Sequence, residues 1–187
     1  MVPDMISRDE AVRAAAGVTF DRPIVMNVYR SILVEAIVAA ALTGWEWCSA
    51  DYASHDFRHR DGTRLEVKQA AARQTWFTGK PSRTVWDIAP RTGFWVDGIK
   101  WVPHIGRNAE IFVFAFHPGL DETTDHRDAA QWLFHIVAAN NLPEAKSLSR
   151  PALARLAEPV AWEALASEVE AARLLLRQHH LDAAAES

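Results

Sequence analysis

The stretch HDFRHRDGTRLEVK, residues 55–68, places two acids and a lysine around a turn signal. Asp61-Gly62 between two β-rich runs marks a hairpin, so 55–59 and 63–70 read as paired strands. Alternate side chains of a strand share a face. Glu66 and Lys68 therefore point one way, and Leu65 and Val67 point the other, into a core. A two-residue loop would set Asp56 opposite Val67 and put a carboxylate on the apolar face. A three-residue loop, Arg60-Asp61-Gly62, sets His59 opposite Thr63, Phe57 opposite Leu65 and Asp56 opposite Glu66. Only the second register separates apolar from polar residues, so burial selects it. Directly opposed Cβ atoms then lie about 5 Å apart. Two carboxylates that close repel unless a counter-charge intervenes. A hard divalent cation, Mg²⁺ or Mn²⁺, takes oxygen ligands of this kind. Lys68, one step along the same face, can orient or deprotonate an activated water or steady charge on a phosphate. The chemistry so assembled is metal-assisted phosphodiester hydrolysis.

Other residues extend this set. Glu35 lies in the otherwise apolar run 32–42, where an unpaired carboxylate is costly to bury. It either serves the site or is accounted for by solvent, Arg30 or a nearby backbone group. Gln69, Arg73 and Gln74 follow the lysine and can contact phosphate, or form a polar turn. Lys80, Arg83, Arg91, Lys100 and Arg107 are further candidates for holding nucleic acid. The aromatics interleaved with them, among them Trp76, Trp86, Trp95 and Trp101, are expected mostly in the core. His104, His117, His126, His135, His179 and His180 show no paired spacing with Cys or acids, which argues against zinc. No phosphate-binding glycine motif appears.

The elements that must position these residues follow from periodicity. Residues 7–16 read as a helix capped by Ser7 and Glu10. Residues 22–42 read as a stronger helix ending at Gly44. Strands are expected at 45–48, 85–89, 111–116 and 132–138, and an amphipathic helix at 161–179, with a frayed tail at 182–187. The order is α/β in character. At 187 residues the chain suits one domain, with a core at about 22–140 and a helical extension at about 150–181.

Composition bounds the rest. The chain is 49% hydrophobic, enough for a core, with no apolar run approaching the roughly 18 residues of a membrane span, so no membrane partner is expected. One cysteine, Cys48, and the lack of a signal-like N-terminus favour a reducing cytoplasm. Net charge is -4, yet residues 56–107 hold ten Lys or Arg against five acids. A basic middle in an acidic chain suits a local polyanion site.

Asp56, a nine-residue gap, then Glu66-Val67-Lys68 resembles the PD-(D/E)XK nuclease superfamily, whose signature is an acid, a spacer and acid-x-Lys on a strand. The wording GTRLEVKQAAARQTW is similar to one bacterial branch of it. The resemblance covers roughly residues 25–140, with His55 where the signature has Pro. It implies a restriction-endonuclease-like α/β fold, a mixed central sheet flanked by helices. It implies DNA as substrate and Mg²⁺ or Mn²⁺ as cofactor. The ligands would be Asp56, Glu66, the Val67 carbonyl and a helical acid, which Glu35 matches; Asp56, Glu66 and Lys68 would be catalytic. No separate target-reading domain is recognisable, so specificity would rest on loops, a homodimer or a partner. Two other readings stay open: a nucleic-acid-binding module without catalysis, and an interaction domain with an incidental charged hairpin.

Overall fold

The computed structural model describes residues 5–48, 53–96 and 99–185. Two helices lead: α1 (Arg8–Phe20) and α2 (Asn27–Ala41). Strands β1 (Trp45–Trp47), β2 (Phe57–His59) and β3 (Arg64–Ala71) follow, then β4 (Val85–Asp87), β5 (Arg91–Val96), β6 (Lys100–Gly106) and β7 (Ile111–His117). Strands β8 (Leu133–Ala138) and β9 (Ser147–Ser149) and helices α3 (Arg150–Leu153) and α4 (Trp162–Ala185) complete the chain. The central sheet runs β1-β2-β3-β7-β8, and β3 and β7 pair in parallel while its other neighbours are antiparallel. The fold is thus mixed α/β.

Strand β7 is buried at all seven positions. Its unbroken apolar run, IFVFAF before His117, follows from having both faces covered. On one face Ile111, Val113 and Ala115 join Phe57 and Leu65 under α2 and α4, through Val34, Ile37, Val38, Leu165 and Val169. On the other, Phe112, Phe114 and Phe116 meet Trp86 and Leu148 from the small sheet β4-β9, Ile88 just past β4, and Leu153 from α3. The C-terminal helix is built into the first core, since Leu165 and Val169 are fully buried there.

Three expected helix bounds shift. Helix α1 has the expected capping box, with the Ser7 N–H donating to Glu10 and the Glu10 N–H to Ser7 Oγ, but runs on to Phe20 and buries none of its residues. Helix α2 starts at Asn27, five residues later than its apolar pattern suggests. Pro23 biases Arg22 away from helical backbone, and Val25 is buried on the way in, its N–H donating to His126 Nδ1. Gly44 follows the helix in left-handed conformation, φ +81°. Helix α4 continues through Ala185 where a frayed tail is expected, and residues 186–187 lie outside the described part. Among the described residues no helix is long and apolar enough to cross a membrane.

Candidate active site

The hairpin carries the site. Its ladder pairs Phe57 with Leu65 and Arg58 with Arg64, and the His59 N–H donates to the Thr63 carbonyl. The loop is therefore the three-residue one, with Gly62 at φ +92°. Phe57 and Leu65 are buried, which sets the register: burying each such side chain is worth about 1.5–3 kcal/mol, and a one-residue slip would expose both. Continuing this register brings Asp56 level with Glu66. Asp56 bends out of the ladder there. Its N–H donates to Leu65 O at 3.0 Å, and its carboxylate Oδ2 accepts from the Val67 N–H at 2.7 Å.

This seating gathers the set. A strand residue's N–H and C=O point to the same side. The Val67 carbonyl thus lies on the edge where Asp56 sits, just past the start of β2. Glu66 and Lys68 share the face of their register partners on β7, Phe112 and Phe114, and their own side chains form an ion pair. Both line a small pocket of about 30 Å³, room for roughly two waters. Its walls include Ser54, Ile88, Arg91, Arg107 and Asn108. Glu35, on α2, accepts from Trp47 Nε1 at 2.9 Å rather than pairing with Arg30.

The electrostatics reflect crowding of like charge. Burial first, and Glu66 second, push the Asp56 carboxyl up to about 7, against the Val67 hydrogen bond and Lys68. Burial raises Glu35 as well, with Glu66 adding and Trp47 opposing. Three carboxylates thus share one ammonium, and the buried Asn108 Oδ1 has no partner at the pocket wall. Oxygen donors short of positive charge fit a hard divalent cation. Among the described residues, no three His, Cys, Asp or Glu side chains are arranged to hold a metal ion as they stand. Glu66 is engaged by Lys68, Glu35 by Trp47 and Asp56 by the Val67 N–H. Two carboxylates and the Val67 carbonyl lie together here, with Glu35 within electrostatic reach.

The expected nucleic-acid contacts divide. Lys80, Arg83 and Arg91 are exposed. Arg91 lines the pocket and pairs loosely with Asp87 at 3.4 Å. Arg73 is half-buried, bound to the Leu120 and Asp121 carbonyls and stacked on Phe77. Gln74 is corrected: it is buried, and its amide is engaged by Arg30 and Ala71 O, so it faces the interior rather than a ligand. Gln69 is likewise held, by Arg30 Nε at 2.7 Å and by Asn27. Both glutamines serve the wholly buried Arg30, whose other donors reach Val25 O and Asn27 Oδ1. Asn108 is an addition that spacing did not single out, and it lines the pocket beside Arg107, one of the expected cations. The aromatics also divide, Trp86 being buried while Trp76, Trp95 and Trp101 are exposed. No protein-family model matches this chain, and no curated protein matches it in sequence.

Proposed function

We propose that the protein is a metal-dependent nuclease with a restriction-endonuclease-like fold that hydrolyses DNA phosphodiester bonds at Asp56, Glu66 and Lys68. The observation that carries this is the seating of Asp56 on the Val67 main chain, between Glu66 and Lys68. Two carboxylates, a main-chain carbonyl and a lysine lie together there, beside a pocket lined by Arg91, Arg107 and Asp87, which supports the reading. Asp56, Glu66 and the Val67 carbonyl would hold Mg²⁺ or Mn²⁺, with Glu35 as the further acid. When bound, such a cation supplies Lewis acidity toward a phosphodiester. Release of Glu66 frees the Lys68 ammonium to face the developing phosphate charge and to position a water. Arg91 offers a phosphate contact at the rim, and Arg107, pinned by the carbonyls of Ile88 and Pro143, keeps that wall in place. The basic excess of 56–107 supports an anionic substrate.

The test is a comparison of three variants. Lys68→Ala should keep Mg²⁺ binding by calorimetry, since an ammonium is no ligand, and lower plasmid cleavage ~10²-fold or more. Asp56→Ala and Glu66→Ala should lose Mg²⁺ binding and cleavage together. Cleavage by Lys68→Ala at the wild-type rate would move the active site elsewhere. Absence of cleavage of single- and double-stranded DNA by wild type, with either metal, would leave a binding module.

A further inference from the structure

Strands β5 and β6 form a ribbon that belongs to neither core. They pair with each other, from Arg91 opposite Gly106 to Val96 opposite Lys100, in a sheet of their own. A lone two-stranded ribbon is marginal in water, and this one exposes apolar side chains: Trp101 is 43% exposed, Trp95 42% and Ile105 85%. The indoles are nonetheless arranged. Trp95 and Trp101 are cross-strand partners with ring centroids 5.6 Å apart. Trp101 lies across Gly93, where an added Cβ would come within 2.4 Å of its ring. Glycine at 93 is thus the bed on which the indole rests.

The ribbon also has a fixed root. Arg91 opens β5 and Arg107 follows β6, and both line the pocket of Glu66 and Lys68. Lys100 stands exposed near the far end. The ribbon thus runs from the candidate site at its root to the exposed indoles beyond.

We propose that this ribbon holds an unpaired nucleic-acid strand, its bases stacking on Trp101 and Trp95 while Arg91, at the root, meets its phosphates. The proposal rests on the nuclease reading and specifies the substrate as a single-stranded segment, led by the ribbon to Glu66 and Lys68. Aromatic side chains engage the faces of bases, which only unpaired bases present. A ribbon reading duplex DNA works through polar contacts to base edges in the major groove, and indoles and aliphatics are poor edge readers. A second copy of this chain is the other candidate occupant, but a symmetric pairing of ribbons would bring like cations together.

The test uses the full chain in EDTA, with fluorescence anisotropy of labelled oligothymidine and of its duplex with oligoadenine. Wild type should bind the single strand more tightly than the duplex. Trp101→Ala should weaken single-strand binding about ten-fold, and Trp101→Phe should retain most of it. Gly93→Ala should weaken it too, by displacing the indole from its bed. Unchanged single-strand affinity in Trp101→Ala, a wild-type preference for duplex, or a dimer that Trp101→Ala dissociates would overturn the proposal. Asp56→Ala should bind the strand at least as well as wild type. Ribbon-dependent binding without any cleavage would sink the nuclease reading alone. Cleavage of single strands with KM unmoved by Trp101→Ala would sink the ribbon alone.

Discussion

Asp56 is the residue whose behaviour should report most directly on the site. Its carboxyl stands at about 7 against an ordinary 3.8, chiefly through burial. A carboxyl raised on folding contributes stability that is fully present below its ordinary pKa and is lost as pH climbs through the folded value. Above about pH 7 the metal-free protein therefore carries a buried, ionised Asp56 beside Glu66. Mg²⁺ should raise the melting temperature at mildly alkaline pH and do little at mildly acidic pH, as differential scanning fluorimetry would show. Asp56→Asn, which still accepts from the Val67 N–H, should melt no lower than wild type at alkaline pH and lose the Mg²⁺ response; an undiminished response would place the metal elsewhere. At this scale the acids and lysine were legible because alternation and burial leave one register. Gln74 was not, because its role depends on Arg30, 44 positions earlier, and no local pattern marks a buried guanidinium held by neutral groups. Burial lowers that arginine to about 10. Arg30→Lys, lacking the planar fork, should strand Gln69 and Gln74 and cost about 2 kcal/mol or more in urea unfolding. A loss below the scatter of surface substitutions would contradict this.

The hairpin is the element that decides the geometry, and its tip is fastened from outside. Asp61 binds Arg173 and Arg177 of α4, and also His59 Nδ1 at 2.9 Å. Burial would raise its carboxyl, but hydrogen bonds from Thr63, His59 and Arg177 hold it well below the usual carboxylate range. The side chains of Asp61 and Arg173 are only 12% and 10% exposed, whereas Arg177 is 53% exposed. Asp61→Ala should therefore cost about 3 kcal/mol, leaving a covered guanidinium short of a partner. Arg177→Ala should cost under ~1 kcal/mol. Equal losses in denaturant melts would show that the fastening contributes nothing beyond surface charge. The Asp-Gly dipeptide made this hairpin readable. The same dipeptide stands at 97–98, between β5 and β6, and was the available signal for the ribbon; the bulge between Arg91 and Gly93 and the proline at 103 broke the alternation that would have reinforced it.

Over the whole molecule, the exposed cations should act together. If Lys80, Arg83 and Arg91 meet phosphates, replacing all three with Glu should weaken binding to DNA and flatten its salt dependence, by about 0.7–0.9 in the log–log slope for each phosphate no longer neutralised. An unchanged slope would remove this segment from the binding surface. The α/β order and strand β7 were readable because a sheet covered on both faces reads as an unbroken apolar run. Strand β4 was expected, but its pairing with β9 was not, because the two three-residue strands are some sixty positions apart and β9 is too short to show a period. Strand β7 carries a last consequence. Buried throughout and bracketed by β3 and β8, it should exchange its amide hydrogens only when the whole chain opens. Strand β3 is tied to it along seven register pairs, from Leu65–Ile111 to Ala71–His117. Glu66 and Lys68 thus ride on the slowest clock in the protein, hours or days removed from the ribbon, whose amides should be deuterated almost at once.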